Sequence, residues 1–345
     1  MASDEPIAKA EVGKSGTGSL SRRTKIIILA VIGTVVVLGL ALGLGLGLGL
    51  NRDGDGGDDG DDTSGASTTT VAVSPTATPT STPSGVWQPP VNAQWQIVLL
   101  DALEINASSP AVKPDVGVFD IDMFDHQNLT VVESLQKLGK KVICYFSAGS
   151  YEPGRPDSSD FQDADLGSEL DGWPGERWLN LSSPSVREIM LKRIGIASDM
   201  GCDAIDPDNV DGYQNDNGLG LTANDSINYV RWMAGEAANL KLGIGLKNAG
   251  GIIPDVLDVI QFSVNEQCNQ YDECDTFAAF IEAGKPVFNI EYPSGAPDDV
   301  SASSLNDSCG AARSSSFSTV IKDMDLDGWV EFCNGTTAQT AVSNS

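Results

Sequence analysis

From Trp87 onward, the chain alternates short, continuous apolar runs with longer stretches of helical periodicity. The runs that predict strands are WQIVLL (95–100), VGVFDID (116–122), KVICYFSAG (141–149), WLNL (178–181), CDAIDPD (202–208), LGIGLKNAG (242–250), VIQFSVNE (259–266), KPVFNIEY (285–292) and SFSTVIKDMD (316–325). Amphipathic stretches at 183–201, 222–240 and 275–284 predict helices between them. Continuous apolar strands separated by helices are typical of a parallel sheet covered by helices. Since no Rossmann glycine fingerprint is present, we expect an α/β protein with a closed (β/α)8 TIM-type barrel rather than an open doubly wound sheet.

Before this pattern, residues 26–50 form an unbroken apolar stretch in which Thr34 is the only polar side chain. A stretch of this length can cross a bilayer as a helix, and it is too long for the apolar region of a secretory signal peptide. RRTK precedes it and NRDGDGGDDGDD follows it. The positive-inside rule therefore predicts a cytosolic tail (1–25), a transmembrane signal anchor (26–50) and a single-pass type II orientation in the plasma membrane, with everything after Leu50 extracellular.

Residues 51–86 change from Asp/Gly-rich to Ser/Thr/Pro-rich sequence, a composition that cannot build an apolar core. We therefore expect a disordered stalk over 51–86 and one folded domain over 87–345. Glycosylation sequons support an extracellular domain, because all six N-x-S/T sites follow the stalk, at Asn106, Asn128, Asn180, Asn224, Asn306 and Asn334.

The cysteines point to the same compartment. All six follow the stalk, at Cys144, Cys202, Cys268, Cys274, Cys309 and Cys333, and an even number suits disulfides in an oxidising environment. Cys268 with Cys274 would close a short loop, and Cys309 with Cys333 a longer one. Sequence alone leaves open whether Cys144 and Cys202 form a third bridge or remain two buried thiols.

The charge of the chain is strongly negative, with 21 basic against 48 acidic residues and a net charge of -27. Six of the basic and nine of the acidic residues precede Trp87, so the predicted domain carries 15 against 39, a net charge of -24. Such an excess repels phosphate backbones and attracts cations. We therefore exclude nucleic acid as a partner and expect a cationic one.

Polar residues stand at or just past the C-terminal ends of the predicted strands, where a barrel builds its active site. They are Asp101, Asp120, Asp122, Asp206, Asp208, Lys247, Asn248, Glu266, Glu291 and Tyr292. Two carboxylates that face each other across a cleft of sugar size are the machinery of glycoside hydrolysis.

The sequence does not contain the residues that acyl transfer, phosphoryl transfer or calcium binding would need. The only histidine, His126, lies in a predicted loop where solvent exposure is expected, and neither a G-x-S-x-G motif nor a P-loop is present. The aspartates of DMDLDG (323–328) have the spacing of an EF-hand loop, but Asn334 replaces the bidentate glutamate that such a loop requires. We expect neither a metal nor a cofactor.

Four segments carry a resemblance to a known family: CYFSAGSYEPGRPD (144–157), ERWLNLSSPSVREIMLKRIGIASDMGCDAIDPDNVDGY (176–213), LGIGLKNAG (242–250) and FSVNEQC (262–268). They resemble glycoside hydrolase family 114, the endo-α-1,4-polygalactosaminidases with a (β/α)8 barrel, over about residues 87–335. A stalked, membrane-anchored chain is similar to the fungal members associated with galactosaminogalactan. One departure is PDNVD where the family has LDNVD. Pro207 removes a backbone N–H but leaves the carboxylates unchanged.

The resemblance implies that Asp208 and Glu266 are the catalytic pair and that the substrate is a cationic galactosamine-containing polysaccharide. We favour Asp208 as nucleophile and Glu266 as acid/base, although the two roles are interchangeable at this level. The expected substrate-binding residues are Asp101, Asp120, Asp122, Tyr145, Asp206, Lys247, Asn248, Glu291 and Tyr292. Two alternatives are an inactive carbohydrate-binding surface protein on the same barrel and a displayed adhesin or wall sensor.

Overall fold

The computed structural model describes residues 85–127, 130–310 and 316–343. The predicted cytosolic tail, the predicted transmembrane helix and the predicted stalk up to residue 84 lie outside these residues, as does the sequon at Asn128. Within the described ranges, no helix has the length and apolar character needed to span a membrane.

Thirteen short strands are found in the described residues. In chain order they are β1 (Trp95–Val98), β2 (Val118–Asp122), β3 (Lys141–Ser147), β4 (Ser150–Tyr151), β5 (Leu166–Glu169), β6 (Arg177–Leu179), β7 (Ala204–Asp208), β8 (Gly243–Lys247), β9 (Phe262–Glu266), β10 (Val287–Glu291), β11 (Ser318–Ile321), β12 (Trp329–Phe332) and β13 (Thr337–Gln339). The helices are α1 (Met123–His126), α2 (Val131–Lys137), α3 (Pro184–Asp199), α4 (Ala223–Asn239), α5 (Ile253–Val256), α6 (Cys274–Glu282) and α7 (Ala302–Cys309).

Ten strands form one curled sheet in the order β1-β2-β3-β7-β8-β9-β10-β11-β12-β13. The first eight of these are parallel, and β12 and β13 extend the sheet as an antiparallel hairpin. The curl brings the first strand towards the eighth, since the Trp95 indole N–H donates to the Ser318 carbonyl at 2.7 Å and Leu99 N donates to the Leu326 carbonyl at 2.9 Å. This α/β arrangement is compatible with a TIM-type fold.

Side chains pack on both faces of the sheet, which accounts for the continuous apolar runs. One apolar cluster fills the space between the strands and the helices, and Phe119, Ile205 and Tyr229 belong to it. A second cluster lies on the opposite face, inside the curl, where the Phe288 ring lies 4.9 Å from the ring of Trp95 and 5.6 Å from that of Phe262.

Two helices begin where the sequence indicates. Pro184 opens α3 at its first turn, after Ser183 in an extended conformation. At the start of α4, the Asp225 carboxylate accepts the backbone N–H of Thr222 at 2.8 Å, which satisfies a donor that the helix itself cannot.

The structure decides the open question about the cysteines. Cys144 is bonded to Cys202, Cys268 to Cys274 and Cys309 to Cys333, so all six form disulfides. The first of these joins the middle of β3 to the turn before β7, at the amino end of β7, opposite the carboxyl end that carries Asp208.

Two elements differ from the prediction. The WLNL run does not enter the parallel sheet, because β6 pairs antiparallel with β4 and β5 in a separate three-stranded sheet between β3 and β7. A short apolar run has no periodicity that tells which sheet it joins. The predicted strand over 316–325 ends at Ile321, and a loop then leads into the β12–β13 hairpin, which the apolar pattern did not predict.

Candidate active site

Three charged side chains meet at the ends of three neighbouring strands. Asp208 ends β7, Lys247 ends β8 and Glu266 ends β9. Lys247 Nζ lies 3.0 Å from Asp208 Oδ2 and 3.4 Å from Glu266 Oε2, so these two carboxylate oxygens are at most about 6.4 Å apart. The lysine side chain is 2% exposed, against 16% for Asp208 and 25% for Glu266. The ammonium is therefore buried beneath two carboxylates that solvent can reach.

Further donors fix the Asp208 carboxylate. Tyr145 Oη donates to Oδ2 at 3.1 Å, and the backbone N–H of Asn209 donates to Oδ1 at 2.6 Å. The carbonyl of Asp208 accepts from the backbone N–H groups of Ala148 and Gly149, both at 2.9 Å. A Cβ on residue 149 would lie 1.7 Å from the carbonyl oxygen of Asn209, so this close approach requires glycine. The SAG turn after β3 thus sets the position of the β7 end.

Glu266 is held by its own neighbours. Tyr292 Oη donates to Oε1 at 2.5 Å, and Asn248 Nδ2 donates to Oε2 at 3.1 Å. Asn248 has a positive φ of 48°, and its Oδ1 accepts the backbone N–H of Glu266 at 2.9 Å. Asn248 therefore fixes both the side chain and the backbone of Glu266, and it holds the end of β8 against the end of β9.

These contacts set the protonation of the site. Burial by itself would raise the pKa of Glu266, but the Lys247 ammonium and the hydrogen bonds from Tyr292 and Asn248 outweigh burial and lower it. Burial acts to lower the pKa of Lys247, but Asp208, Glu266 and Asp206 raise it well above its ordinary value. At neutral pH Glu266 is therefore a carboxylate and Lys247 an ammonium.

Two more carboxyls lie deeper inside the curl. Asp120 and Asp206 are fully buried, and within the described part of the chain none of their four carboxyl oxygens has a hydrogen-bond partner. Burial raises the pKa of Asp206 to about 7, and the charges of Asp208 and Glu266 add to this effect against that of Lys247. Burial and the neighbouring Asp206 raise the pKa of Asp120 well above its ordinary value.

An open cleft of about 580 Å³ lies above these groups. Six of the predicted site residues line it: Tyr145, Asp208, Lys247, Asn248, Glu266 and Tyr292. Asp211 also lines it, and its pKa is raised to about 6 by burial and by the charge of Asp208. The structure thus brings both predicted catalytic carboxylates into one cleft together with four of the nine predicted binding residues.

The cleft continues over the insertion that carries β4, β5 and β6. Its lining there includes Glu152, Asp171, Trp173, Glu176 and Trp178, and the loop after β9 adds Tyr271 and Glu273. None of these residues stands at the end of a strand of the parallel sheet. The only sequence signal for these positions is the acidity of the loops, which does not distinguish a cleft from an ordinary solvated surface.

The other predicted binding residues lie outside the cleft lining. Asp120 and Asp206 are beneath it, as described. Asp122 caps α1, and its two carboxylate oxygens accept from Arg155 at 3.0 and 2.7 Å. Glu291 is buried and accepts the backbone N–H of Asn269 at 2.9 Å. Asp101 is half-buried just after β1.

His126 is buried, although its predicted loop position favours exposure. Its Nε2 accepts the backbone N–H of Leu103 at 2.9 Å, and Nδ1 lies 2.6 Å from the carbonyl of Asp122. Burial lowers its pKa. The ring is therefore neutral and joins α1 to the loop after β1. Among the described residues, no group of three or more histidine, cysteine, aspartate or glutamate side chains is arranged to hold a metal ion.

Paired carboxylates at the carboxyl ends of parallel strands, in an open cleft of an α/β fold, define a glycoside hydrolase. The profile of glycoside hydrolase family GH114 matches residues 76–338, and the chain belongs to this family. A comparison with curated protein sequences gave no significant match.

Solved structures agree with the family. The crystal structure of Aspergillus fumigatus Ega3 in complex with galactosamine is 54% identical to this chain, covers 72% of it and 97% of Ega3, and superimposes with a TM-score of 0.67. The glycoside hydrolase domain of PelA from Pseudomonas aeruginosa is 15% identical, covers 68% of this chain and 96% of that domain, and has a TM-score of 0.50. The second likeness concerns the fold alone.

Proposed function

We propose that this chain is an endo-acting hydrolase of α-1,4-linked galactosamine, as found in polygalactosamine or galactosaminogalactan, and that its sheet closes as a (β/α)8 barrel. The main support for this chemistry is that Asp208 and Glu266 lie on either side of Lys247 Nζ, at distances of 3.0 and 3.4 Å. The two facing oxygens, at most about 6.4 Å apart, leave room for the separation of about 5–5.5 Å that retaining enzymes use. This supports a retaining mechanism.

Each step of that mechanism has a residue available. Glu266 donates a proton to the glycosidic oxygen as the C1–O bond breaks, and a carboxylate oxygen of Asp208 bonds to C1. In the second step Glu266 removes a proton from water, the water oxygen attacks C1, and the Asp208–C1 bond breaks. The product keeps the α configuration.

The exchanged roles are the second candidate, and the lowered pKa of Glu266 favours them, because an ionised carboxylate suits a nucleophile. Azide rescue distinguishes the two assignments. If Asp208 is the nucleophile, Asp208→Gly with azide forms the β-glycosyl azide and Glu266→Ala with azide forms the α-glycosyl azide. The opposite pair of products would exchange the roles.

The charge of the cleft supports a cationic substrate. Glu152, Asp171, Glu176, Asp211 and Glu273 line it, whereas Lys247, the one basic residue in its lining within the described part of the chain, is neutralised by Asp208 and Glu266. A polymer with ammonium groups is therefore attracted, and a polyanion is repelled. Galactosamine is also the ligand named in the Ega3 structure.

We further propose that residues 26–50 anchor the enzyme as a single-pass type II protein of the plasma membrane and that residues 51–86 hold the catalytic domain outside the cell. The sequons and the three disulfides are consistent with that compartment.

The test is reducing-end release by the full chain in detergent from partly deacetylated galactosaminogalactan, with chitosan as a cationic control. Release from the galactosamine polymer alone supports the proposal. Binding without release would favour the inactive carbohydrate-binding protein, and release from chitosan as well would refute the linkage specificity.

A further inference from the structure

The carboxyls of Asp120 and Asp206 take no part in the steps above, yet they lie directly beneath the site. They come from β2 and β7, the second and fourth strands of the parallel series, with β3 between them. In a curled parallel sheet, alternate strands contribute inward side chains to the same layer. Because side chains two apart in a strand point to the same face, Asp206 lies on the same side as Asp208, and Asp120 on the same side as Asp122.

The surroundings of this pair cannot keep both groups ionised. Asp120 and Asp206 are fully buried, and none of their four oxygens accepts a hydrogen bond from any described residue. The nearest cation is Lys247, which already bonds Asp208 and pairs with Glu266. Four carboxyl groups therefore share one ammonium. A buried carboxylate without donors costs several kcal/mol, so such a group takes up a proton instead.

The charged groups around the pair come from four strands. Asp122, on β2, is neutralised by Arg155. Asp208 follows Asp206 on β7, Lys247 ends β8 and Glu266 ends β9. Tyr145, on β3, is in register with Asp206 and donates to Asp208. Lys247 is thus the cation that faces both the pair below and the reacting carboxylates above.

We propose that Asp120 and Asp206 form a buried carboxyl pair that holds one proton at rest and acts on the reaction through Lys247. The pair carries one negative charge behind the ammonium, which keeps Lys247 charged and draws it away from the two reacting carboxylates. When the pair is neutral, the field of Lys247 acts on Asp208 and Glu266 alone. Asp120 and Asp206 are therefore positioning residues, and substrate does not touch them.

The direction of this effect follows from electrostatics. The negative charges of Asp206 and Glu266 repel each other. A negative charge on Asp206 therefore raises the pKa of the carboxyl that donates the proton. The pKa of Asp206, about 7, sets the range in which the effect operates. The alkaline limb of the pH profile of kcat belongs to the proton donor and is therefore the limb that the pair controls.

The first experiment does not depend on activity. In the infrared spectrum of the protein in D2O at a pH of about 8, above the pKa of about 6 of Asp211, the pair should give the carbonyl band of a protonated carboxylic acid. We expect this band in the wild type and in Asp165→Asn, a control that removes a different buried carboxyl with an unpartnered oxygen. Asp120→Asn should abolish it. Absence of the band in the wild type, or its persistence in Asp120→Asn, would overturn the proposal.

The second experiment rests on the proposed function and measures kcat against pH. Asp206→Asn should move the alkaline limb down by about one pH unit, which lowers kcat up to about 10-fold at a pH of about 8, with the acid limb unchanged. Asp165→Asn should leave both limbs in place. A loss of kcat that is equal at every pH would reduce Asp206 to a structural residue. If Asp206→Asn does not fold, the pH titration of the infrared band in the wild type still tests the proposal. Loss of the band at a pH of about 6 would show that the Asp120–Asp206 pair does not hold a proton at rest.

Discussion

Lys247 and Lys322 are both fully buried lysines at the carboxyl ends of strands in the same sheet, but their partners differ in charge. Lys247 meets two carboxylates, Asp208 at 3.0 Å and Glu266 at 3.4 Å. Lys322 meets only neutral oxygens, which are Gln96 Oε1 at 3.3 Å, the carbonyl of Asp327 at 2.7 Å and the carbonyl of Trp329.

The difference in partners decides the charge of each lysine. Burial acts to lower both pKa values, but the carboxylates around Lys247 reverse this and raise its pKa well above the ordinary value. Around Lys322 burial prevails over the more distant Asp327 and Asp323, and its pKa falls to about 7. Equal burial thus produces a permanent cation in the cleft and a near-neutral amine beside the β12–β13 hairpin.

The two regions have different tasks. Lys322 joins the end of β11 to Gln96 of β1 and to the loop before β12, so it fastens the place where the sheet curls back on itself. Lys247 also connects neighbouring strand ends, but its partners are the charged groups of Asp208 and Glu266, so it places a positive charge between the two carboxylates. If Lys247 serves the reaction and Lys322 serves stability, substitutions around the two lysines should have different effects, which are given below from the largest to the smallest.

Removal of a carboxylate that contacts Lys247 should have the largest effect. We expect Asp208→Asn and Glu266→Gln each to lower kcat by about 10⁴-fold or more, about 5.5 kcal/mol, since each of the two steps needs both groups. Circular dichroism should show an unchanged fold. Asp327→Asn, a carboxylate near Lys322, is the matched control and should retain activity. Full activity in either of the first two variants would remove that residue from the catalytic pair.

Replacement of the cation itself should have the next largest effect. Lys247→Met keeps the volume but leaves two carboxylates without their ammonium, so kcat/KM should fall about 10²–10³-fold. Loss of the Lys247 charge raises the pKa of Glu266, and the acid limb of the pH profile should therefore move to higher pH. The pH dependence of kcat/KM measures both effects. An unchanged acid limb would mean that Lys247 does not control the protonation of the pair.

Lys322→Met should act on stability instead. The substitution leaves the carbonyls of Asp327 and Trp329 without this donor, which should lower the free energy of unfolding by about 1–3 kcal/mol, with kcat of the folded enzyme retained. The pKa of Lys322 is about 7 when folded and 10.5 when unfolded, so between these values the unfolded chain binds more protons and the stability of the wild type rises with pH. The loss on substitution should therefore grow between pH about 7 and about 10. Urea unfolding at both pH values would show this, and a loss that shrinks with pH would contradict the neutral amine.

Asp211→Asn should give the smallest effect. Asp211 lines the cleft, but its pKa of about 6 lets it titrate within the working range of the enzyme. At a pH of about 7 it is mostly ionised, and its loss should raise KM for a cationic polymer about 2–5-fold. At a pH of about 5 it is protonated, and the asparagine variant should match the wild type. A loss that is equal at both pH values would indicate a steric rather than an electrostatic role.

Several features of this molecule follow from the sequence for clear physical reasons. An apolar run that ends in a charged residue marks both a buried strand and its exposed end, which is why Asp208, Lys247 and Glu266 could be assigned to one cleft. The even number of cysteines after the stalk indicated disulfides, but the pairing could not be read from the sequence and came from the structure. The parallel order of eight strands followed from continuous apolar runs separated by helices.

Two features could not be predicted from the sequence: how deeply each polar side chain is buried, and how the loops fold over the cleft. Period-two alternation puts Asp206 and Asp208 on the same side of β7, but it does not tell that the first is sealed beneath Lys247 and the second reaches the cleft. Glu152, Asp171 and Glu176 line the cleft because the β4–β6 insertion folds over it, and nothing in their local sequence indicates that fold. His126 is buried because the backbone N–H of Leu103 and the carbonyl of Asp122 satisfy both ring nitrogens, and the contact with Leu103, 23 residues away in the sequence, has no local signal.

The central claim is that Asp208 and Glu266, held on either side of one ammonium, cleave an α-galactosaminide by double displacement. The most direct test is the anomeric configuration of the first product, followed by proton NMR during hydrolysis of a galactosamine oligomer. If the reaction is a double displacement, the α-anomer forms first and then mutarotates. Initial formation of the β-anomer would contradict the central claim, because two successive inversions at C1 retain the α configuration and a single displacement by water inverts it.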